Sequence, residues 1–331
     1  MRRGVRSGLF TFVAIHSTAR GPSLGGCRMW HYDDPREALQ DALRLSRAMT
    51  FKSAVADLPL GGGKGVIMAP VGLPARVRRA ALLDFASTVD ALRGAYIAAE
   101  DVGTSSRDMS LIATETTHVA GLARARGGSG DPSPFTALGV EAAIRACCAR
   151  AFGSDSLSGR SVCVIGLGHV GARVARRCAR AGARLVLSDV DQRKRALADA
   201  LGARWATPRA ALTARVDVLA PCALAGLFDD ESVPRLHCRV IAGAANNQLT
   251  SDSVASFLAA RGILWAPDFV ANAGGVINIA EEFAPGGYDA ARARRRVWGI
   301  GETVANLFDE ADATGATPLE VAAAVAARRL A

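Results

Sequence analysis

The spacing of apolar and polar positions divides the chain into two regions of different rhythm. Over residues 35–50 (Pro-Arg-Glu-Ala-Leu-Gln-Asp-Ala-Leu-Arg-Leu-Ser-Arg-Ala-Met-Thr) the apolar positions recur at helical spacing, and Asp33 or Asp34 stands where a capping carboxylate belongs. A second helix is expected over 75–93, rich in alanine, leucine and arginine. The run Ala95–Ala99 then reads as a short buried strand entering the turn Glu100-Asp101-Val102-Gly103-Thr104. The pattern breaks at 126–134, Arg-Gly-Gly-Ser-Gly-Asp-Pro-Ser-Pro, which has the composition of an interdomain linker. Beyond it a helix from Thr136 to Phe152 precedes apolar runs at 161–165, 184–188, 216–220, 238–242 and 262–266, with helical stretches between them. Short apolar runs alternating with crossovers predict a parallel, doubly wound sheet. The pattern implies an α/β chain of two domains with a cleft between them. Residues 1–130 form one, with the helical stretch 285–331 packing back on it, and 131–284 form the other.

Composition changes this picture little. Half the residues are hydrophobic and 21% are charged, ordinary values for a globular protein. No apolar run approaches the roughly 20 residues of a membrane helix. Met1-Arg2-Arg3 followed by Gly8–Ile15 loosely imitates a secretory leader, but the apolar part is short and no small-x-small cleavage site precedes Arg20. The seven cysteines (27, 147, 148, 163, 178, 222 and 238) contain no CxxC pair. That pattern suits reduced thiols in a cytoplasmic protein and leaves no metal site. The net charge of +9 raises the question of nucleic acid, with local runs at Arg76–Arg79 and Arg292–Arg296. The arginines are spread over helical segments that also carry acids, aromatics are scarce, and no nucleic-acid motif is present. No nucleic-acid or membrane partner is expected.

One compositional fact does change the picture. Of 40 basic residues only three are lysine, Lys52, Lys64 and Lys194, and two of these lie twelve residues apart in one apolar, glycine-rich stretch. Arginine keeps its proton in proteins, whereas a desolvated lysine can lose one near neutral pH. The pattern points to chemistry that needs a compact, titratable amine.

A nucleotide signal sits in the second region. Ser161–Ile165 is followed at once by Gly166-Leu167-Gly168-His169-Val170-Gly171 and a helical segment, and the next strand, 184–188, ends at Asp189, 23 residues after Gly166. Strand, GxGxxG, helix and a late acid form the dinucleotide fingerprint. The first glycine makes the turn, the second admits the pyrophosphate, and the third packs helix on strand. The diphosphate then meets a helix N-terminus, which favours anions. Asp189 is expected to accept the adenosine ribose hydroxyls and to repel a 2′-phosphate, so NAD is expected over NADP, with Arg193 and Lys194 near enough to soften that preference. A glycine-rich structural turn without a ligand is the plainer reading.

Gly61-Gly62-Gly63-Lys64-Gly65 resembles a phosphate loop only superficially, because Leu58 stands where the first glycine belongs and Gly65 follows the lysine. The triple glycine is expected instead to let a substrate and a nicotinamide ring approach the backbone. Several stretches together carry a more specific likeness: Gly21-Pro22-Ser23-Leu24-Gly25-Gly26-Cys27-Arg28-Met29, Met49-Thr50-Phe51-Lys52-Ser53-Ala54, Leu58–Lys64, Ala99–Thr104, Pro221-Cys222-Ala223-Leu224, Ala244-Ala245-Asn246-Asn247 and Asn272–Asn278. In this order, over nearly the whole chain, they resemble the Glu/Leu/Phe/Val dehydrogenase family, and within it the leucine dehydrogenase branch.

The resemblance implies an NAD-dependent oxidoreductase that deaminates an aliphatic L-amino acid (leucine, valine or isoleucine) to its 2-oxo acid and ammonia, and runs the reverse reductive amination. Residues 1–130 would be the substrate and dimerisation-type domain, and 131–284 the Rossmann domain. Lys52 would bind the substrate carboxylate with Asn247 beside it, Lys64 would activate the attacking water, and Asp101 would exchange protons with the amino group. Gly25 would adjoin the substrate, and Leu24, Ala99, Val276 and Ile279 would line an aliphatic pocket without a cation for a second carboxylate. Gly166, Leu167, Gly168, His169, Val170, Gly171, Asp189, Thr136, Ala220, Pro221, Cys222 and Asn272 would contact the cofactor. Burial among glycines and a nearby Lys52 would lower the pKa of Lys64, and Asp101 would oppose them. Plainer readings remain: Lys52 as a solvated helix-end lysine, Lys64 as a loop lysine on backbone, Asp101 as a turn cap and Asn247 as a turn amide. An aromatic substrate and a non-catalytic NAD-binding scaffold are the alternatives at the level of function. A homo-oligomer, dimer or octamer, is expected. The family's further N-terminal element of subunit contact has no counterpart before Gly8-Leu9-Phe10, so either the start lies too far downstream or the oligomer is built differently.

Overall fold

The computed structural model describes residues 1–223 and 225–331; Leu224, quoted above, lies outside the described residues. The chain divides into two units. One comprises Met1–Pro132, Asn278–Ala290 and Val325–Ala331, the other Ser133–Ile277 and Ala291–Ala324.

The first unit is built on a five-stranded mixed sheet of β1 (Arg2–Arg3), β2 (Phe10–Ser17), β3 (Ser23–Trp30), β4 (Gly61–Met68) and β5 (Tyr96–Glu100), in the order β1-β2-β4-β3-β5. The antiparallel pairs are β1/β2 and β2/β4, and the parallel pairs β3/β4 and β3/β5. The leader-like apolar run at the N-terminus is β2, a strand apolar on both faces because both are covered. Phe12 and Ala14 face helix α1 (Pro35–Val55), while Leu9 and Val13 adjoin the opposite core. That opposite core packs α2 (Ala75–Asp90) and α3 (Ser106–Ile112) on Cys27, Met29, Ile67 and Tyr96 of the sheet.

Helix α1 starts where the sequence places it, with the Asp34 carboxylate accepting from Arg36 N–H. Its buried stripe is Ala38, Ala42, Ser46 and Thr50, spaced one turn apart, whereas Leu39 and Leu43 are exposed. Small side chains let the helix lie very close to β4. A Cβ on Gly62 would overlap the backbone of Thr50, one on Gly61 the carbonyl of Ser17, and one on Gly63 the ring of Tyr96. The triple glycine is therefore explained by packing inside the protein: its Cβ positions are already taken by helix, strand and ring. This corrects the expectation that it gives a ligand room to approach. At its far end α1 is capped by Arg329, whose guanidinium donates to the carbonyls of Ala54 (2.9 Å) and Val55 (2.7 Å).

The second unit carries a six-stranded parallel sheet of β6 (Ser161–Ile165), β7 (Arg184–Ser188), β8 (Arg204–Trp205), β9 (Val218–Pro221), β10 (Val240–Ile241) and β11 (Leu264–Trp265), in the order β11-β10-β9-β6-β7-β8. This is the doubly wound Rossmann order, with the reversal between β6 and β9. Strands β6 and β7 fall where expected, β10 and β11 are shorter than their apolar runs, and β8 carries too little apolar character to be seen in the sequence. Among the helices, α4 (Ser133–Phe152), α5 (Gly171–Arg180), α6 (Arg195–Ala200), α7 (Pro208–Leu212) and α8 (Ser253–Ala260) pack on this sheet. Short helices α9 (Asp268–Ala271) and α10 (Gly274–Ala280) follow, then α11 (Ala290–Trp298), α12 (Ile300–Thr314) and α13 (Pro318–Leu330).

The helical C-terminus departs from expectation. Helix α12 lies on α4, where Ile300 sits so close to Gly139 that no side chain fits there, and Arg150 of α4 pairs with Asp309 (2.7 Å) and Asp312. This packing places Ala291–Ala324 in the second unit, and of the C-terminal stretch 285–331 only its first residues and Val325–Ala331 join the first.

Because the Thr50 backbone fills the Cβ position of Gly62, Gly62→Ala is expected to destabilise the fold by about 2–3 kcal/mol. Denaturant unfolding measures this, and an unchanged midpoint would show that helix and strand are not in such close contact.

Candidate active site

Strand alternation decides which side chains meet. In the register of β3, β4 and β5, Leu24, Gly26 and Arg28 share a face with Lys64 and with Ala99, the face on which α1 lies. Lys64 is only 5% exposed, and its ammonium pairs with the Asp101 carboxylate just past β5. Gly26 makes the pairing possible, since a Cβ there would press on the Cβ of Asp101 at 2.6 Å. Asp101 is not the cap of its turn. The Thr104 hydroxyl fills that role, accepting from Asp101 N–H at 3.0 Å and donating to the Cys27 carbonyl at 2.8 Å. The Asp101 carboxylate meets two cations, Lys64 and Arg28, and also accepts from the Val102 backbone N–H.

Arg28 was quoted in the sequence but given no role. Its Nε donates to Asp101 Oδ2 at 3.1 Å, and its Nη1 to Asp41 Oδ2 at 2.7 Å. Asp41 in turn accepts from the Tyr32 hydroxyl and the Arg44 guanidinium, each at 2.7 Å. The only signal for this in the sequence is a lone arginine following two glycines in a glycine-rich strand.

Burial pushes the Lys64 pKa below its ordinary value, the Asp101 carboxylate opposes the shift, and the Arg28 guanidinium reinforces it. Burial would raise the Asp101 pKa, but Lys64 and Arg28 together hold it below the usual carboxylate range. Arg28, to which the sequence gave no part, is thus a positive charge that acts on Lys64. Lys52 occupies the last turn of α1, half-buried. Gly25 lies in β3, its carbonyl accepting from Tyr96 Oη at 2.6 Å, and Leu24 and Ala99 are buried. Ile279, also buried, belongs to the first unit with them.

The remaining expected residues belong to the second unit. Gly166 turns the chain after β6 with φ +93°, and Gly171 starts α5 so close to the Gly166 carbonyl that no side chain fits. Around Gly168, by contrast, a Cβ would meet nothing within 4 Å. Among the described residues, helix α5 has no side-chain cap at its N-terminus. Ala220, Pro221 and Cys222 form the end of β9 and the residue after it, and Cys222 N–H donates to the Ile165 carbonyl at 2.7 Å. The glycine turn and this segment thus meet at the sheet's reversal. Asp189 follows β7 and accepts from Leu167 N–H (2.6 Å) and Asp191 N–H (2.9 Å). Thr136 lies in the first turn of α4, and Leu167 is buried, whereas His169 and Gly168 are exposed and Val170 is half-buried. Asn272 donates to the Ala244 carbonyl (3.2 Å) and to Asn246 Oδ1 (2.9 Å), while its own Oδ1 is buried without a hydrogen-bond partner among the described residues. Asn247 adopts φ +51°, a left-handed conformation that asparagine tolerates, and Val276 is buried in α10.

Comparison with known proteins agrees with this arrangement. The family model for the Glu/Leu/Phe/Val dehydrogenase dimerisation domain matches residues 1–118, and that for glutamate/leucine/phenylalanine/valine dehydrogenase matches 187–327. A leucine dehydrogenase from Thermoactinomyces intermedius is 43% identical over 93% of this chain and 84% of its own length. The chain belongs to the Glu/Leu/Phe/Val dehydrogenase family. A valine dehydrogenase from Streptomyces virginiae is 41% identical over 98% of the chain and 90% of its own length. The crystal structure of L-tryptophan dehydrogenase from Nostoc punctiforme superposes with a TM-score of 0.83 at 36% identity, covering 98% of this chain and 93% of that one. The NAD-binding domain model of D-isomer specific 2-hydroxyacid dehydrogenases matches 141–225. As a member of this family, the protein is an amino-acid dehydrogenase that uses NAD.

The residues fit that cofactor. The open space at Gly168, the uncapped start of α5 and the unsatisfied Asn272 Oδ1 are what a diphosphate and a polar amide would fill. Arg193, close enough to Asp189 to favour a 2′-phosphate, is engaged by Asp191 through two bonds of 2.9 and 3.0 Å. All seven cysteines are free thiols, and burial pushes that of Cys222 up to about 12. No helix among the described residues is long and apolar enough to cross a membrane.

Gly168→Ala is expected to leave thermal stability unchanged, because the added methyl meets no protein atom within 4 Å, while weakening NADH binding about tenfold by occupying the space that a diphosphate would fill. Fluorescence titration beside a melting curve separates the two effects. Unchanged affinity would remove Gly168 from the cofactor site.

Proposed function

We propose that this dehydrogenase oxidatively deaminates branched-chain L-amino acids, leucine, valine and isoleucine, to the 2-oxo acid and ammonia, and runs the reverse reductive amination. The observation that carries the proposal is the buried Lys64–Asp101 pair, set on the sheet face that also bears the aliphatic Leu24 and Ala99. A buried ion pair adds little net stability, so its presence beside apolar side chains points to chemistry.

In this reading the Lys52 ammonium holds the substrate carboxylate, and Leu24, Ala99, Val276 and Ile279 accept the aliphatic side chain. NAD supplies the acceptor for the Cα hydride. Lys64, its pKa lowered by burial, takes in its free-amine form the proton of the water that adds to the imine carbon. Asp101 exchanges protons with the substrate nitrogen, which leaves as ammonia. Gly25 lets the substrate lie against β3. Asn247 serves as a second ligand of the carboxylate. The residues assigned to the cofactor keep those roles, with Asp189 on the ribose hydroxyls. The family model's dimerisation domain supports a homo-oligomer, and the free thiols support a cytoplasmic location. The likeness to an L-tryptophan dehydrogenase supports an aromatic substrate as the second reading.

Formation of NADH with a panel of L-amino acids is expected to be fastest on the branched aliphatic substrates, and highest kcat/KM on phenylalanine or tryptophan would give the second reading precedence. Lys64→Ala is expected to lose about a thousandfold in kcat. The active form of Lys64 is the free amine, so deamination by the wild-type enzyme should fall as the pH drops through the lowered lysine pKa. A kcat/KM profile flat across that range would contradict the role given to Lys64.

A further inference from the structure

We infer that Arg28 is a positioning residue of the acid–base pair: anchored on Asp41, it holds the Asp101 carboxylate in place and sets the pH range over which Lys64 is a free amine. The inference rests on the roles proposed for Lys64 and Asp101, and extends them to two residues that have none in that reading.

The geometry is that of a bridge. Two different faces of one guanidinium reach two carboxylates, Nε to Asp101 Oδ2 and Nη1 to Asp41 Oδ2. The planar guanidinium can hold both at once, which a lysine's point charge cannot reproduce in direction. Asp41 is fixed in its turn by Tyr32 from one side and Arg44 from the other. The chain of contacts therefore runs from α1, through Arg28 on β3, to Asp101 past β5 and on to Lys64 on β4. Arg28 and Lys64 both donate to the same oxygen, Asp101 Oδ2. That oxygen is committed to the two cations, and the orientation of the carboxylate is fixed before any substrate arrives.

The electrostatic consequence has a definite sign. Flanked by Asp41 and Asp101, Arg28 stays protonated at every working pH. A permanent positive charge at this distance favours the anion of Asp101 and disfavours the ammonium of Lys64. The other charged and titratable groups on the surrounding elements are Cys27 on β3, Tyr96 and Glu100 on β5, and Arg44 and Lys52 on α1, with the Arg78–Asp108 pair at α2 and α3 further away. Cys27 and Tyr96 are buried and remain neutral at ordinary pH, because burial raises both of their pKa values. Among the groups that act on Lys64, Arg28 is a cation that lowers its pKa, and it is held there by its two carboxylates.

The test is the pH dependence of kcat/KM for leucine deamination in the full-length enzyme, in which the ionisation of the substrate is common to every variant. In Arg28→Gln the acid limb is expected to move up by about one pH unit, with kcat reduced. Arg28→Lys, which keeps the charge but not the bridge, should return the limb toward its wild-type position while kcat stays low. Asp41→Asn removes the counter-charge of Arg28 and should move the limb the other way, to lower pH, and this variant decides the matter if Arg28→Gln does not fold. A merely structural arginine would lower activity and melting temperature in both Arg28 variants with the limb unmoved. An acid limb unchanged in Arg28→Gln and Asp41→Asn overturns the inference. Lys64→Ala is run beside them: full turnover in that variant would remove the underlying acid–base reading itself, whereas its loss together with an unmoved limb would reject the role of Arg28 alone.

Discussion

The closeness of α1 to β4 is the constraint on which the candidate site depends. A helix normally packs on a sheet at a distance set by its side chains. Here small residues one turn apart face a strand of consecutive glycines, and the two backbones come nearly into contact. The strand is then held firmly enough to carry one buried lysine, and the helix carries a second lysine at its last turn over the same sheet face. The cap that Arg329 places on the final carbonyls of α1 fixes that turn from the other side.

Within that frame the Lys64–Asp101 pair is costly to bury and is kept in place by neighbours that share its charge. Two cations converge on one carboxylate, and the excess positive charge falls on the lysine, the one of them that can lose a proton. In the second unit the same economy of atoms appears in a different form. The glycine turn after β6 and the segment after β9 approach at the reversal of the sheet, where strands diverge and leave a crevice for a ligand.

Much of this was legible in the amino-acid sequence. The dinucleotide turn, β6, β7 and the start of α1 carry strong local signals, a GxGxxG turn between strand and helix, continuous apolar runs, and a capping aspartate. The scarcity of lysine singled out Lys52 and Lys64 without reference to any fold. What could not be read came from contacts between distant segments. The glycines of β4 suggest ligand access when read alone and tight packing once Thr50 and Tyr96 lie against them. Leu39 and Leu43 look like the buried stripe of α1, yet the stripe is made of its smallest residues. The association of α12 with α4 depends on Gly139 admitting Ile300, which no periodicity reveals. Arg28 was hidden among forty basic residues, and only the strand register gives it two carboxylates to bridge.

Asp189 orders the glycine turn with no ligand present. Its carboxylate already accepts from the backbone of Leu167 in the glycine turn and of Asp191 beyond its own strand. Those bonds restrict the turn to one shape in the free protein. The entropy of ordering the turn is therefore lost during folding, and little of it is left to oppose the association of the nucleotide.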